Sequence, residues 1–179
     1  PFADTTDMGP LISKVQQERV AAFAQRAKEA GIPVALDGGV PDGKGFFFKP
    51  TIFRDAPLDS ELMQQEVFGP VTAVVPFDTE EEALAIANGT PYGLAASVWT
   101  KDMACAFRTT AAIEAGTVWV NDHLPIASEM PHGGFKESGF GKDMSRYSFE
   151  EYTIAKHIMF ELEGEVKKAW HAAVFYDPQ

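Results

Sequence analysis

Of the side chains that could act as nucleophiles, the thiol of Cys105, the single cysteine in the chain, is the first to weigh. A thiolate becomes strongly nucleophilic when a helix N-terminus or a neighbouring cation lowers its pKa. The context Asp102-Met103-Ala104-Cys105-Ala106-Phe107 predicts a helix body with no histidine close in sequence. Free cysteine is among the most buried residue types, so packing is the favoured role. The four histidines, His123, His132, His157 and His171, show no pair at helical metal spacing and no pattern of Cys or carboxylate partners. No side-chain metal site is therefore expected. His132 differs from the others in standing inside a glycine-rich loop.

That loop, Pro131-His132-Gly133-Gly134-Phe135-Lys136-Glu137-Ser138-Gly139-Phe140-Gly141, has the look of a phosphate cradle without its chemistry. Glu137 follows Lys136 where a P-loop needs Ser or Thr, and Met144 stands where a dinucleotide fingerprint needs its third glycine. The glycines more simply allow tight bends and close approach of other segments. Glu66-Val67-Phe68-Gly69-Pro70 offers a different chemistry. A carboxylate can hold the two hydroxyls of a ribose, and an aromatic ring can back a flat heterocycle. The alternative is a surface Glu and a buried Phe leading into a strand.

The elements that must position these residues are legible from capping and periodicity. Ser13-Lys14-Val15-Gln16 has the form of a capping box, and Val15, Phe23, Ala27 and Ala30 follow at helical spacings until Gly31. A turn-rich stretch from Asp37 to Gly45 leads through Phe46-Phe47-Phe48 into a strand at Thr51-Ile52-Phe53. The pattern then becomes regular. A strand from Val71 to Phe77 is followed by a helix from Glu80 to Asn88, entered through Thr79 and Glu82 as a second capping box. A strand from Ala95 to Trp99, a helix capped by Thr100 that runs to about Glu114, and a strand from Thr117 to Val120 complete the run. This βαβαβ alternation predicts an α/β fold with a parallel sheet. Ligands of such sheets sit beyond the carboxyl ends of the strands, where Asn121 and the segment from Asp122 to Gly141 leave. Tyr152 to Phe160 reads as a further strand outside this alternation, of the kind that pairs with another segment or subunit. The expected organisation is a main unit over 1–150, an added strand over 151–162 and a tail over 163–179.

Composition narrows the function classes. A chain of 179 residues is long enough for one well-buried domain. Its formal net charge of −11, with scattered Lys and Arg, argues against a nucleic-acid partner. No apolar run approaches the roughly 18 residues that span a bilayer, so no membrane partner is expected. The start at Pro1-Phe2-Ala3-Asp4 has neither basic stretch nor apolar core and reads as mid-chain sequence rather than a signal peptide. One cysteine excludes an internal disulfide framework and fits a reducing compartment, the cytoplasm.

Taken together and in order, these motifs resemble the C-terminal half of the aldehyde dehydrogenase superfamily. The resemblance rests on Asp7-Met8-Gly9-Pro10-Leu11-Ile12-Ser13, Gly45-Phe46-Phe47-Phe48-Lys49-Pro50-Thr51, Gln65-Glu66-Val67-Phe68-Gly69-Pro70-Val71, Tyr92-Gly93-Leu94-Ala95 and Pro131 to Gly139, and it runs from about Asp7 to Phe160. It implies an enzyme that oxidises an aldehyde to a carboxylic acid with NAD or NADP. Glu66 would then hold the nicotinamide ribose and Phe68 would pack near the nicotinamide. Ile126 and His132 would line the aldehyde tunnel, and the strand near 154–160 would pair across the interface of a homodimer or homotetramer. The Ser128-Glu129-Met130-Pro131-His132 version of the loop looks like the aminoaldehyde and betaine-aldehyde branches, in which Glu129 would attract a cationic substrate.

The family's nucleophilic Cys, its general-base Glu and its main dinucleotide-binding fold match nothing here, and the resemblance places them upstream of Pro1. The chain is accordingly expected to carry no catalytic residue of its own and to be inactive without that N-terminal part. A non-catalytic assembly or interaction module built on the same fold is the competing reading.

Overall fold

A computed structural model of the chain describes residues 4–162 and residue 164. The first helix, α1 (Lys14–Glu29), starts where Ser13 accepts a hydrogen bond from the Gln16 amide, so the cap is as expected. The reciprocal half of the box does not form, because the Gln16 side chain turns instead to the carbonyls of Val67 and Phe68. The buried face of α1 is Val20, Phe23, Ala24 and Ala27. Val15, expected on that face, is 75% exposed, and Ala30 is exposed as well. Val15 lies about 140° around the helix axis from Val20, away from the buried face.

Strand β1 (Val34–Leu36) pairs antiparallel with β2 (Thr51–Arg54), and β2 pairs parallel with β3 (Val71–Val74). Phe46 to Phe48 remains outside these strands; Phe48 is buried while Lys49 forms an isolated bridge with Gly39. The core gathers where α1 covers this sheet, with Val20, Phe23, Ile32, Phe48, Phe53 and Val67 in one cluster. A short helix α2 (Glu61–Gln64) closes the turn before β3, and it is fastened to α1 by a two-pronged pairing of Arg26 with Glu61 at 2.8 and 2.9 Å.

The second half carries α3 (Glu80–Asn88), β4 (Tyr92–Gly93), β5 (Ala95–Val98), α4 (Met103–Ala112) and β6 (Thr117–Val120). Thr79 caps α3 by accepting from the Glu82 amide, and the Glu82 carboxylate reaches back to the Asp78 amide. The cap of α4 is Asp102 rather than Thr100. Its carboxylate accepts from the Ala104 and Cys105 amides, whereas the Thr100 hydroxyl accepts from the Asp102 amide and the Thr100 backbone pairs with Asn121. An ionised carboxylate is the stronger acceptor for helix-terminal amides and is favoured there by the helix dipole.

The α/β class with parallel strands is as expected, although the parallel pairing is divided. β5 pairs with β6, β3 pairs with β2, and no ladder joins β3 to β5 among the described residues. A two-residue ladder between β4 and β7 (Phe135–Lys136) ties the glycine-rich loop back to the second half. After α5 (Ser145–Glu151), residues 154–162 carry no regular structure and pair in no ladder among the described residues, where the expected strand near 154–160 is not formed. Its side chains are exposed, Ile154 at 95% and Phe160 at 78%. Apart from residue 164, the tail expected over 163–179 lies outside the described residues, as does His171. Among the described residues no helix is long and apolar enough to cross a membrane.

Two outcomes follow for stability. Phe53 has no exposed surface, so Phe53→Ala should cost about 3–5 kcal/mol, read as a lower urea midpoint. Hydrogen bonds from Arg26 and from Arg108 hold the carboxyls of Glu61 and Glu80 below the usual range. Because these folded-state pKa values are depressed, the stabilisation is present above the ordinary Glu value and is lost as pH falls through the depressed one. The melting temperature of Arg26→Gln/Arg108→Gln should therefore lie below wild type at about pH 7 and converge with it as pH falls through the depressed values.

Candidate functional site

The tripeptide Glu66-Val67-Phe68 is built on α1. Val67 is buried in the core cluster and anchors the loop from its centre. The Gln16 amide donates to the Phe68 carbonyl at 2.8 Å and to the Val67 carbonyl at 3.2 Å, and the Arg19 guanidinium donates to the Glu66 carbonyl at 3.1 Å. Gly69 lies so close to Val20 that any side chain there would collide with its methyls. Phe68 has φ +56°, the left-handed region that non-glycine residues seldom occupy. Its ring is 68% exposed.

Phe68 is therefore not the buried strand-entry residue of the alternative reading, whereas an exposed Glu66 fits either one. Glu66 is exposed, and its carboxylate has no hydrogen-bond or ion-pair partner among the described residues. Both residues border a cleft of about 350 Å³ that also includes Leu62, Thr72 and Ala73. Glu66 additionally borders a second cleft of about 390 Å³, across which stand Tyr92, Gly93, Glu114 and Ser138. Gln16 and Arg19 were missed in the sequence because a Gln three residues after Ser reads as a cap. Their i, i+3 spacing on one helix face was the available signal.

The loop that follows β6 is tied at several points. Asn121, with φ +54°, accepts from the Thr100 amide at 2.9 Å and donates to the Thr100 carbonyl at 2.8 Å. The Trp119 indole donates to the Pro125 carbonyl at 2.9 Å, and His123 Nδ1 lies 2.6 Å from Ser97 Oγ. Ile126 is 54% exposed on this loop. His132 is half-buried, with Nδ1 2.8 Å from the Asp143 carboxylate and its carbonyl accepting from the Asp143 amide at 3.0 Å. Neither cleft beside Glu66 is lined by Ile126 or His132, so the four expected site residues fall into two groups.

Close approach is what the loop's glycines provide. A side chain on Gly116 would strike the Gly133 carbonyl, and one on Gly134 would strike Ser138. Lys136 spans the same region, donating to the carbonyls of Asn88 and Thr90 at 2.6 and 3.2 Å and pairing with Glu114 at 2.7 Å. It is a structural cation at the end of α3 rather than a phosphate ligand.

Cys105 lies in the first turn of α4 instead of a helix body, with Sγ 3.6 Å from Thr109 Oγ1. It is half-buried in a cleft of about 410 Å³ together with Glu80, Trp99 and Thr109. No histidine borders that cleft. Among the described residues no group of three or more His, Cys, Asp or Glu side chains could hold a metal ion.

The profile of the aldehyde dehydrogenase family matches residues 1–158. The chain belongs to this family. An aldehyde dehydrogenase from Aspergillus niger is 43% identical over 162 residues, which cover 90% of this chain and 33% of that protein. A betaine aldehyde dehydrogenase from Agrobacterium fabrum is 41% identical, with 88% of this chain and 33% of its own length covered. Among solved structures, a Staphylococcus aureus betaine aldehyde dehydrogenase in complex with NAD+ superimposes with a TM-score of 0.83 at 39% identity, covering 88% of this chain and 32% of that one. The NAD+ complex of an aldehyde dehydrogenase from Bacillus cereus gives 0.80 at 43% identity, covering 83% and 30%. The chain thus has the aldehyde dehydrogenase fold over the matched region and spans about a third of the length of these relatives.

Asn121 should be the least replaceable polar residue of the loop. Asn121→Ala removes both bonds to Thr100 and puts alanine at a left-handed position, so a loss of about 2–3 kcal/mol is expected in denaturant unfolding.

Proposed function

We propose that this chain is the C-terminal portion of an aldehyde dehydrogenase that oxidises an aldehyde to a carboxylic acid with NAD+ or NADP+. The observation that carries the reading is the unpartnered, exposed Glu66 carboxylate beside the exposed Phe68 ring, on a backbone fixed by three hydrogen bonds from α1. An exposed carboxylate with free acceptor positions suits two ribose hydroxyls, and a ring held clear of the core suits one face of a nicotinamide. When bound, the dinucleotide supplies the hydride acceptor. The residues here bind and orient it, and Cys105, packed against Thr109 in a cleft without a histidine, is assigned no part in attack on the aldehyde.

The loop after Asn121 is the substrate side of the reading. Ile126 offers apolar surface, and His132, steadied by Asp143, offers a polar edge. Glu129 is exposed and accepts from the Ser128 hydroxyl at 3.2 Å, leaving a carboxylate that would favour a cationic aminoaldehyde or betaine aldehyde by Coulomb attraction. Betaine aldehyde dehydrogenases among the relatives support that class. The exposed side chains from Ile154 to Leu162 form the surface against which a second copy would pair, making a homodimer or homotetramer in the cytoplasm.

Three outcomes test this reading. In the full-length enzyme, Glu66→Gln should raise the KM for NAD+ roughly tenfold with little change in the KM for aldehyde, since hydrogen bonds to a charged group are lost. An unchanged KM for NAD+ would remove Glu66 from the cofactor site. Turnover of an aminoaldehyde should exceed that of an aliphatic aldehyde of equal length, and Glu129→Gln should erase the difference; equal rates in wild type would refute the cationic preference. The 179-residue chain alone should produce no reduced nicotinamide from aldehyde and NAD+.

A further inference from the structure

We propose that Gln16 is a positioning residue whose side-chain amide holds Phe68 in its left-handed backbone conformation and so sets the direction of the ring. The inference rests on the cofactor reading of Glu66 and Phe68 for its consequence, but not for its geometry. A phenylalanine at φ +56° is strained relative to extended or helical backbone and persists only where its surroundings over-determine it. Core packing does not supply that determination at Phe68 itself, since its ring is 68% exposed. The fixed points are to either side. Val67 is buried before it, and Gly69 is pressed on Val20 after it.

Between them, one amide nitrogen of Gln16 bonds the carbonyls that flank the Val67–Phe68 and Phe68–Gly69 junctions, at 3.2 and 2.8 Å. Both carbonyls can face the same donor only if the chain bends sharply at Phe68. Arg19, one helical turn further along α1, fixes the preceding Glu66 carbonyl at 3.1 Å. Gln16 and Arg19 therefore act through the backbone of the tripeptide, leaving the Glu66 carboxylate and the Phe68 ring free for a ligand. A glycine at position 68 would adopt the same φ without strain and would depend less on the clamp.

That dependence gives a test independent of the ligand. Peptide-resolved hydrogen exchange on the 179-residue chain compares wild type, Gln16→Met, Phe68→Gly and the double variant. Gln16→Met should speed exchange over 66–69 about fivefold in the wild-type background and less than about twofold when residue 68 is glycine, with α4 as an unaffected reference. Gln16→Lys, which keeps a donor, should restore part of the protection. Unchanged exchange in Gln16→Met, or an equal effect in both backgrounds, would overturn the proposal. In the full-length enzyme, Gln16→Met should raise the KM for NAD+ without changing that for aldehyde. If the exchange results hold while neither Gln16→Met nor Phe68→Ala alters the KM for NAD+, the clamp stands and the cofactor reading of Phe68 falls.

Discussion

The contact between α1 and the sheet of β1, β2 and β3 is the constraint from which the rest of the first half follows. Val20 and Phe53 are wholly buried there, and Phe23, Ile32, Phe48 and Val67 are among the residues packed with them. Burying side chains of this size contributes on the order of 1.5–3 kcal/mol each, so the helix cannot shift along the sheet without losing several of them. With α1 fixed, the directions of Gln16 and Arg19 are fixed as well. Polar side chains one turn apart then meet three consecutive carbonyls, and an exposed loop acquires the rigidity of the core beneath it. A loop held only by its own turns would not present a carboxylate and a ring at a constant spacing.

Electrostatics plays a supporting part at the joints between elements. Arg26 with Glu61 links α1 to α2, Arg108 with Glu80 links α4 to α3, and Lys136 with Glu114 links the glycine-rich loop to the end of α4. All are substantially exposed, so each contributes modestly and is weakened by salt. Their value lies in orientation. A two-pronged arginine pair permits one relative placement of two helices where a hydrophobic patch would permit several. The open edges of β3 and β5 show where such fastening ends: each strand has a single paired neighbour among the described residues.

Much of this was legible in the sequence wherever structure is decided locally. The caps at Ser13 and Thr79, the helix from Glu80 to Asn88 and the strand from Thr117 to Val120 depend on side chains within a few residues of one another. Other features were not, for reasons that are equally physical. The competition between Thr100 and Asp102 to cap α4 goes to Asp102, which takes the Ala104 and Cys105 amides, while the Thr100 hydroxyl is spent on the Asp102 amide. The apolar alternation from Tyr152 to Phe160 fits a strand, yet a strand requires a partner, and this chain offers none to that segment among the described residues. At the candidate site, residue types marked Glu66 and Phe68, while the device that orients them was hidden because Gln16 satisfies the pattern of a helix cap and is used for something else.

The contact of Gly116 with Gly133 bears on how this sequence can change over time. Neither position accepts a side chain, and Asn121 is locked to Thr100, so the segment between Asn121 and Gly133 hangs from two immovable posts. Everything between the posts is exposed or half-buried, and none of it belongs to the core cluster. Substitutions there are filtered by what the segment touches in solution rather than by whether the protein folds. The architecture thus separates two constraints along one stretch of chain, allowing side chains to vary while the scaffold stays still.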